Sequence, residues 1–511
     1  MFFPIYAIGF FAAVLLLVGW FYLQARRQNS TLVPLFLLIA LVAYAWGVFG
    51  GPGGADIKLG VVFRDLAILG GIGFIFQFLA KRSMAFVIGL IILAAGLYGY
   101  YQNQMKLSFV SMEQSEGSIL VAPEGELLVE LAEGSKSLDA IQAISDNYDL
   151  QLRPAFQPED REATELDDYY VVDIPNDRAA ELQSVIEALE ANSVVDWVEI
   201  NEQVSVTPMP AKKLPAINKK FGINDPGLDQ LWGFEAMEVD RLYTLLKTQN
   251  VQPKKKALIA ILDTGVDAKH EDLAGKFKSI KAKYDKDVRG HGTHCAGIAG
   301  AITNNNKGIA SFSPDDRFTQ ITSIKVLSDS GMGSQKMIID GILEAADKGA
   351  DVISMSLGGR SSAMKQRAYQ KAVAYANKKG VIVLAAAGNS NRNAKDYAPV
   401  NTPGVIGVSA IDSRLNLATF SNYVTDIKWG VAAPGVGIYS TIPNSGYAAY
   451  NGTSMATPYV AGLVGLMKSI KPDITTEEVY TLLNKTGKRT QQTAKSGKLI
   501  YPEKVIEQLI K

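Results

Sequence analysis

The sequence predicts three successive parts: apolar transmembrane helices, a small mixed α+β domain, and a large α/β domain with helices on both faces of a parallel sheet. Three observations indicate this order. Long apolar stretches fill the first hundred residues, short strand-like and helix-like segments alternate in the middle, and continuous apolar runs separated by helical segments follow. A chain of 511 residues is also too long for one ordinary core.

The first part, residues 1–106, contains four apolar stretches. They are residues 4–24, 31–49, 60–80 and 84–101. Because a helix needs about 20 residues to cross a bilayer core of roughly 30 Å, each stretch is a candidate membrane span. The third fits if Arg64 and Asp65 lie at the membrane interface. A cleaved signal peptide is not expected, since no basic segment precedes the first stretch and three more follow it. The sequence therefore predicts an integral membrane protein in contact with a lipid bilayer.

The orientation of these spans follows from the basic residues in their short loops. Two loops carry four positive charges (Arg26, Arg27, Lys81 and Arg82). The opposite side carries three (Lys58, Arg64 and Lys106). Placing the four charges inside predicts that the C-terminal domains lie on the non-cytoplasmic side.

The second part, residues 107–207, has the pattern of a small domain. Strands are predicted at 126–131, 151–156, 169–174 and 194–200, and helices at 138–144 and 179–189. The resulting order β-α-β-β-α-β is that of a ferredoxin-like domain. Residues 208–223 carry prolines and lysines without periodicity, which predicts a linker. It is either a passive spacer or a processing site.

Charge is unevenly distributed among these parts. Residues 1–106 have a balance of +5 (7 basic, 2 acidic), residues 107–210 of −19 (4 and 23), and residues 211–511 of +14 (40 and 26). Two interpretations are open: separately solvated surfaces, or docking of the acidic block on the basic one. No nucleic-acid partner is expected. With one cysteine, the chain cannot form an intramolecular disulfide.

The third part, residues 224–511, alternates buried strands with helices. Apolar runs at 257–262, 352–355, 381–386 and 405–408 are separated by helical stretches such as 335–348 and 362–379. This pattern predicts a parallel sheet covered on both faces. Functional groups are then expected near the carboxyl ends of the strands.

The chain has three histidines, and they limit the candidates for a general base. His291 lies between two glycines at the start of a predicted helix, where backbone can approach closely. His294 is expected to pack within that helix and His270 to belong to a loop. The histidine and cysteine spacing makes a metal site the poorer interpretation.

Three further residues complete a candidate catalytic set. Asp263 ends an apolar strand, where it is either a turn residue or the partner of an imidazole N–H. Ser454 follows Gly452 at the start of an apolar helix, where it is either a helix cap or a nucleophile near oriented N–H groups. Asn389 follows another strand, and its amide could donate to a tetrahedral intermediate.

Together these segments resemble the subtilisin-like serine protease (subtilase) family. The order Asp263, His291, Ser454 is the subtilisin order, and the surrounding residues 263–265, 291–294, 385–389 and 452–458 resemble the family's signatures. The resemblance covers residues 224–511. It implies a subtilisin-like catalytic domain and a serine endopeptidase that forms an acyl-enzyme on Ser454, needs no cofactor for catalysis and acts on proteins or peptides.

The resemblance also implies roles for other segments. The middle domain would be a propeptide that folds with the protease and blocks its cleft, so that the chain would be made as a zymogen. Cys295 would be structural. Two segments would clamp an extended substrate peptide by strand addition: Ser330, Gly331, Met332 and Gly333, and Ser356, Leu357 and Gly358. A structural Ca²⁺ site is implied at Asp225, Asp272, Thr303, Asn305, Lys307 and Ile309.

Two other classes of function remain as alternatives. One is a membrane-bound scaffold with an inactive protease fold, which a missing triad residue would favour; none is missing. The other is a transporter or membrane sensor with a regulatory soluble part. The polar content of the four helices does not indicate a path for a substrate.

Overall fold

The computed structural model describes residues 2–28, 30–50, 55–100, 121–132, 141–361 and 366–511. The chain forms two compact units, Met1–Ile119 and Leu120–Lys511.

The first unit is a bundle of helices. Their bounds are Phe2–Ala25, Leu32–Gly50, Ala55–Leu79 and Ser83–Tyr100. The first three are long and apolar enough to cross a membrane, and the fourth is a shorter apolar helix. The first two pack so closely that a side chain at Gly9 would collide with the backbone of Tyr44, and one at Gly47 with the backbone of Tyr6. Small residues at such positions allow neighbouring backbones to approach.

One carboxylate joins all four helices. Asp65, in the third helix, is fully buried. It accepts hydrogen bonds from Tyr6 (2.8 Å), Tyr44 (3.3 Å) and Tyr100, one from each of the other helices, and Arg64 donates from the adjacent position (2.9 Å). Asp65 is therefore fully buried among the helices, whereas the Arg64 side chain keeps 28% of its surface exposed.

The second unit begins with a four-stranded antiparallel sheet. Its strands are β1 (Leu127–Leu131), β2 (Gln151–Pro154), β3 (Tyr169–Asp173) and β4 (Val195–Ile200), in the order β2-β3-β1-β4. Helices Gln142–Tyr148 and Leu182–Glu190 accompany it. The helix expected at 138–144 lies partly outside the described residues, and the start of the one expected at 179–189 is a 3₁₀ turn, Asn176–Glu181.

The larger part of this unit is built on a seven-stranded parallel sheet, as the apolar runs predicted. Its strands are β7 (Ala257–Asp263), β8 (Thr319–Lys325), β10 (Val352–Met355), β12 (Ile382–Ala386), β14 (Val405–Ile411), β15 (Gly430–Pro434) and β18 (Lys498–Leu499). The order is β18-β15-β14-β12-β10-β7-β8, with all pairs parallel. Every residue of β7 and β14 is buried, which explains their continuous apolar sequence.

Helices cover this sheet and fix the ends of its strands. Their bounds are Trp232–Ala236, Val239–Thr248, His291–Gly300, Gln335–Asp347, Arg367–Lys378, Thr453–Ile470, Thr476–Thr486, Thr493–Ser496 and Pro502–Leu509. Helix Thr453–Ile470 is buried over its whole length and packs against the sheet. Helix Arg367–Lys378 covers the C-terminal part of the stretch expected at 362–379; residues 362–365 lie outside the described ones.

Short antiparallel pairs surround the carboxyl ends of the sheet. They involve β5 (Gln203–Ser205) with β9 (Met332–Ser334), β11 (Gly359–Arg360) with β13 (Tyr397–Ala398), and β6 (Met209–Pro210) with β17 (Gly446–Asn451), which also pairs with β16 (Ile438–Ile442). The sequence pattern predicted a linker over the whole of 208–223. The structure places Met209–Pro210 in a strand, because pairing with β17 needs backbone groups and no side-chain period.

Candidate active site

Asp263 and His291 form a buried pair at the end of β7. Asp263 is the last residue of that strand, and its carboxylate oxygens lie 2.8 and 2.9 Å from His291 Nδ1. His291 starts its helix after Gly290, whose φ of 83° suits glycine. Gly292 must also lack a side chain, since a Cβ there would collide with the carbonyl of Gly265. Two glycines therefore let the ring-bearing turn pack against the loop that follows the strand.

The charge of Asp263 controls the titration of the ring. Burial lowers the pKa of His291, but the negative charge and hydrogen bond of Asp263 outweigh burial, so the pKa stands above its usual value. A carboxylate only accepts hydrogen bonds. Nδ1 therefore carries the proton, and Nε2 of the neutral ring is left as the base.

Asp287 fixes this geometry, and the sequence analysis missed it. Its Oδ1 accepts from Thr264 Oγ1 (2.9 Å) and Gly290 N (2.8 Å), and its Oδ2 accepts from Thr293 N (2.9 Å) and Thr293 Oγ1 (2.7 Å). One carboxylate thus ties the residue after Asp263 to both flanks of His291. In the sequence, the one sign of this role was an acidic residue four positions before His291.

Ser454 lies in the first turn of the buried helix Thr453–Ile470. Its Oγ donates to the carbonyl of Ser356 (3.0 Å), and its own carbonyl accepts from Ser356 Oγ (2.7 Å) and Cys295 Sγ (3.4 Å). The described residues contain no hydrogen bond between Ser454 and His291.

The amide of Asn389 is oriented by Thr453. Its Oδ1 accepts from Thr453 N and from Thr453 Oγ1, both at 2.9 Å. The same hydroxyl accepts from Gly388 N (3.1 Å). Because Oδ1 is held on the Thr453 side, the NH₂ group is directed away from these donors and is available to an oxyanion.

The other histidines and the cysteine are buried and bonded within the fold. His270 bonds the carbonyl of Gly446 (3.0 Å), and His294 bonds that of Ala448 (3.0 Å) and stacks on Tyr450. Burial lowers the pKa of His294 to about 3, so the ring is neutral. Burial also raises the pKa of the Cys295 thiol well above its usual value, which disfavours the thiolate.

Asp263, His291 and Cys295 bring donor atoms within 4.8 Å of one another, the one such group among the described residues. Asp263 already accepts from His291 Nδ1 and from Thr264 N (2.7 Å). The donor set therefore fits proton transfer better than metal binding.

One of the two expected substrate segments contacts Ser454, and the other pairs with a segment of the same chain. Ser356 follows β10 and contacts Ser454, and Gly358 packs against the carbonyl of Ala398, where a Cβ would lie 2.8 Å away. The segment 330–333 leads into β9, whose edge pairs with residues 203–205 of the same chain.

The expected calcium ligands are brought together in part. Buried Asp225 accepts from Asn304 N (2.7 Å) and Asn305 N (3.0 Å), and buried Asp272 accepts from Asn305 Nδ2 (2.8 Å) and Ile309 N (2.8 Å). Thr303 and Lys307 are bonded elsewhere: Thr303 Oγ1 to Ser311, and Lys307 N to Asn305 Oδ1. Two buried carboxylates bonded to one amide-rich loop, residues 303–309, are the oxygen donors that suit Ca²⁺. Burial raises the pKa of Asp272 to about 7, which a bound cation would oppose.

Comparison with known proteins decides the family. The sequence model of the subtilase family matches residues 254–499 of this chain. Thermitase of Thermoactinomyces vulgaris is 47% identical over 218 residues, which are 42% of this chain and 75% of that protein. The chain belongs to the subtilase family. Its catalytic unit is thus a subtilisin-like α/β domain, as the motifs indicated.

Other subtilases agree with this assignment. Subtilisin DY of Bacillus licheniformis is 39% identical over 255 residues, 48% of this chain and 89% of that protein. A thermophilic serine proteinase of Bacillus sp. strain AK1 is 38% identical over 298 residues, 57% and 68% of the two chains. A solved protease structure from Pseudoalteromonas arctica PAMC 21717 is 27% identical with a TM-score of 0.50, covering 56% of this chain and 99% of that one. These relatives support subtilisin-type serine protease function.

Proposed function

We propose that this subtilase is a membrane-anchored serine endopeptidase that is made as a zymogen, with Asp263, His291 and Ser454 as its triad. The observation that carries the proposal is the buried Asp263–His291 pair, whose helix contacts Ser454 through Cys295, with Ser454 itself at a helix N-terminus. His291 Nε2 takes the proton of Ser454 while Oγ attacks the substrate carbonyl. The resulting imidazolium is stabilised by Asp263 and gives its proton to the leaving amine. Water then hydrolyses the acyl-enzyme by the same path.

Asn389 acts on the developing oxyanion. Its amide NH₂ and the N–H groups of the first turn of Thr453–Ile470 form the donor set for that charge. Thr453 is a positioning residue here, because its N–H and hydroxyl donate to Asn389 Oδ1 and so orient the Asn389 amide. The substrate runs between segments 330–333 and 356–358 as an added strand.

Several features support the zymogen. The sheet order β2-β3-β1-β4 is that of a ferredoxin-like domain. Two of its residues cap helices of the peptidase from a distance. Glu199 accepts from Arg367 N (2.8 Å) and Ala368 N (3.2 Å), and Asn201 Oδ1 accepts from Lys336 N (3.1 Å). Such groups satisfy N–H donors that a helix start leaves open and interact favourably with its dipole.

Ion pairs support docking of the acidic block on the basic one. Glu130 is only 3% exposed and bonds Lys371 at 2.5 Å and Arg367 at 3.3 Å. Lys371 also pairs with Glu165, and Arg367 with Asp196 (2.7 Å). Because the exposed members of this network are screened by ions, we expect docking to weaken at high salt.

The membrane anchor is supported by the surface of the helical bundle. Among the described residues, all large hydrophobic side chains that are exposed lie between Ile8 and Tyr98, apart from Val288 and Ile510. An apolar surface of this extent suits lipid. Four loop charges against three on the opposite side support the non-cytoplasmic orientation of the peptidase.

The proposal includes one structural Ca²⁺ site. Asp225 and Asp272 would hold the ion with oxygens of the loop 303–309. The ion would supply positive charge to two buried carboxylates and so stabilise the loop, with no part in the reaction.

The test is labelling of the full-length protein in detergent with a fluorophosphonate probe. The variant Val206→Asp opens the cleft, since Val206 is a buried side chain of the segment that pairs beside β9. We expect this variant to be labelled and the double variant with Ser454→Ala to remain unlabelled. Ser184→Ala in the same background is the matched control and should label fully, since Ser184 is an exposed residue of helix Leu182–Glu190 in the small domain. An unlabelled Val206→Asp protein would favour the inactive scaffold.

A further inference from the structure

Residues 203–211 cross the candidate active site as one continuous strap. On one side, Gln203, Val204 and Ser205 pair antiparallel with β9, and Val206 N donates to the carbonyl of Gly331 (2.8 Å). On the other side, Met209 pairs with Asn451, Pro210 pairs with Tyr450, and Ala211 N donates to the carbonyl of Ala449 (2.8 Å). The strap therefore occupies the cleft both before and after the site where a substrate would be cut.

The two ladders define which peptide bond meets the nucleophile. They leave Thr207 and Pro208 between them, and Asn451 lies three residues before Ser454. Val204 and Val206 are buried, at 2% and 7% exposure, and hold the register by their alternation. His291 (2% exposed) and Ser454 (8% exposed) are buried in this state. Thr207–Pro208 is thus the peptide bond that lies between the two ladders, and the strap occupies the backbone groups with which a second substrate would pair.

A peptide bond to a proline nitrogen is a poor substrate for cleavage by a serine peptidase. Attack forms the bond from Ser454 Oγ to the carbonyl carbon of Thr207, and collapse must break the bond from that carbon to the Pro208 nitrogen. His291 has to deliver the proton to that nitrogen. In proline, the ring Cδ takes the place of the amide hydrogen, and φ is fixed near −65°, so the ring crowds the approach of the imidazole. The residue before a proline nevertheless prefers an extended conformation, which suits strand pairing.

We propose that residues 203–211 are a substrate-like strap which the peptidase binds but cuts poorly, because Pro208 supplies the leaving nitrogen. Latency then persists until a second peptidase cuts the chain elsewhere. The proposal rests on the proposed function, since it needs Ser454 to be a working nucleophile. The strap is covalently attached at both ends, and this intramolecular attachment gives it a high effective concentration at the cleft.

The experiment follows the full-length protein in detergent by intact mass and by fluorophosphonate labelling. We expect wild type to remain one uncut species with little label. Pro208→Ala restores an ordinary amide and should cut itself into residues 1–207 and 208–511, and adding Ser454→Ala should abolish this cut. Pro210→Ala is the matched control, because it removes a proline from the same strap two residues beyond the bond. It should remain uncut.

The possible outcomes distinguish failure of the strap proposal from failure of the proposed peptidase function. If Val206→Asp is labelled while Pro208→Ala stays uncut, the strap proposal fails and the peptidase stands. Cutting of wild type at 207–208, or of Pro210→Ala as readily as Pro208→Ala, also overturns the role of Pro208. If neither Val206→Asp nor Pro208→Ala is labelled, the proposed function fails, and the strap proposal with it.

Discussion

The substitution Thr453→Val tests how the oxyanion donor is held. Valine keeps the backbone N–H that bonds Asn389 Oδ1 and removes the hydroxyl that donates to the same atom and accepts from Gly388 N. One neutral hydrogen bond contributes about 0.5–1.5 kcal/mol, so we expect kcat to fall about 2- to 13-fold with KM nearly unchanged. Asn389→Ala removes the donor itself and should cost about 10²–10³ in kcat.

A double-mutant cycle distinguishes positioning from a general loss of packing. If Thr453 acts through Asn389, Thr453→Val should cost little once Asn389 is alanine. All proteins carry Val206→Asp so that the cleft is open, and initial rates are measured on a chromogenic peptide. Equal losses from Thr453→Val in the presence and absence of the Asn389 amide would refute this reasoning.

Three other outcomes follow from the described contacts. Asp263→Asn should lower the pKa of His291, move the rise of activity to lower pH, and reduce kcat by about 10⁴; an unchanged pH–rate profile would contradict the pairing. Burial raises the pKa of Glu202 from 4.5 to about 8, so the folded form binds its proton more tightly. Stability should then fall as pH rises from about 4.5 to about 8, by at most about 5 kcal/mol, and Glu202→Gln should flatten this dependence in urea unfolding. Chelation of Ca²⁺ should lower the melting temperature of the peptidase, and Asp272→Asn should remove that sensitivity; equal effects of chelator on both proteins would argue against the site.

Sequence patterns located the residues at strand ends. Buried parallel strands need continuous apolar runs, so the ends of β7 and β12 were visible, and with them Asp263 and Asn389. Glycines before His291 and Ser454 marked turns with positive φ. The site could therefore be assembled from local signals in the right order.

Contacts between distant segments were not visible in the same way. Glu199 caps a helix that begins 168 residues later, and a capping motif is recognisable only when both partners are close in sequence. Residues 209–210 pair through backbone groups, which leave no pattern in a two-residue strand. The partners of Asp65 were not visible either, because its three tyrosines come from three other helices.

The order of parts along the chain has a consequence for where the enzyme acts. The helical bundle and the small domain both precede the strap, and the peptidase follows it. If the bundle holds the precursor in a bilayer, a cut beyond residue 207 and before the first peptidase helix severs the only covalent link to the membrane. The same event would then permit catalysis and set the enzyme free to diffuse. Each precursor would irreversibly yield one soluble enzyme molecule. The number of precursors cut would therefore set how much active enzyme is present and how much of it acts away from the membrane.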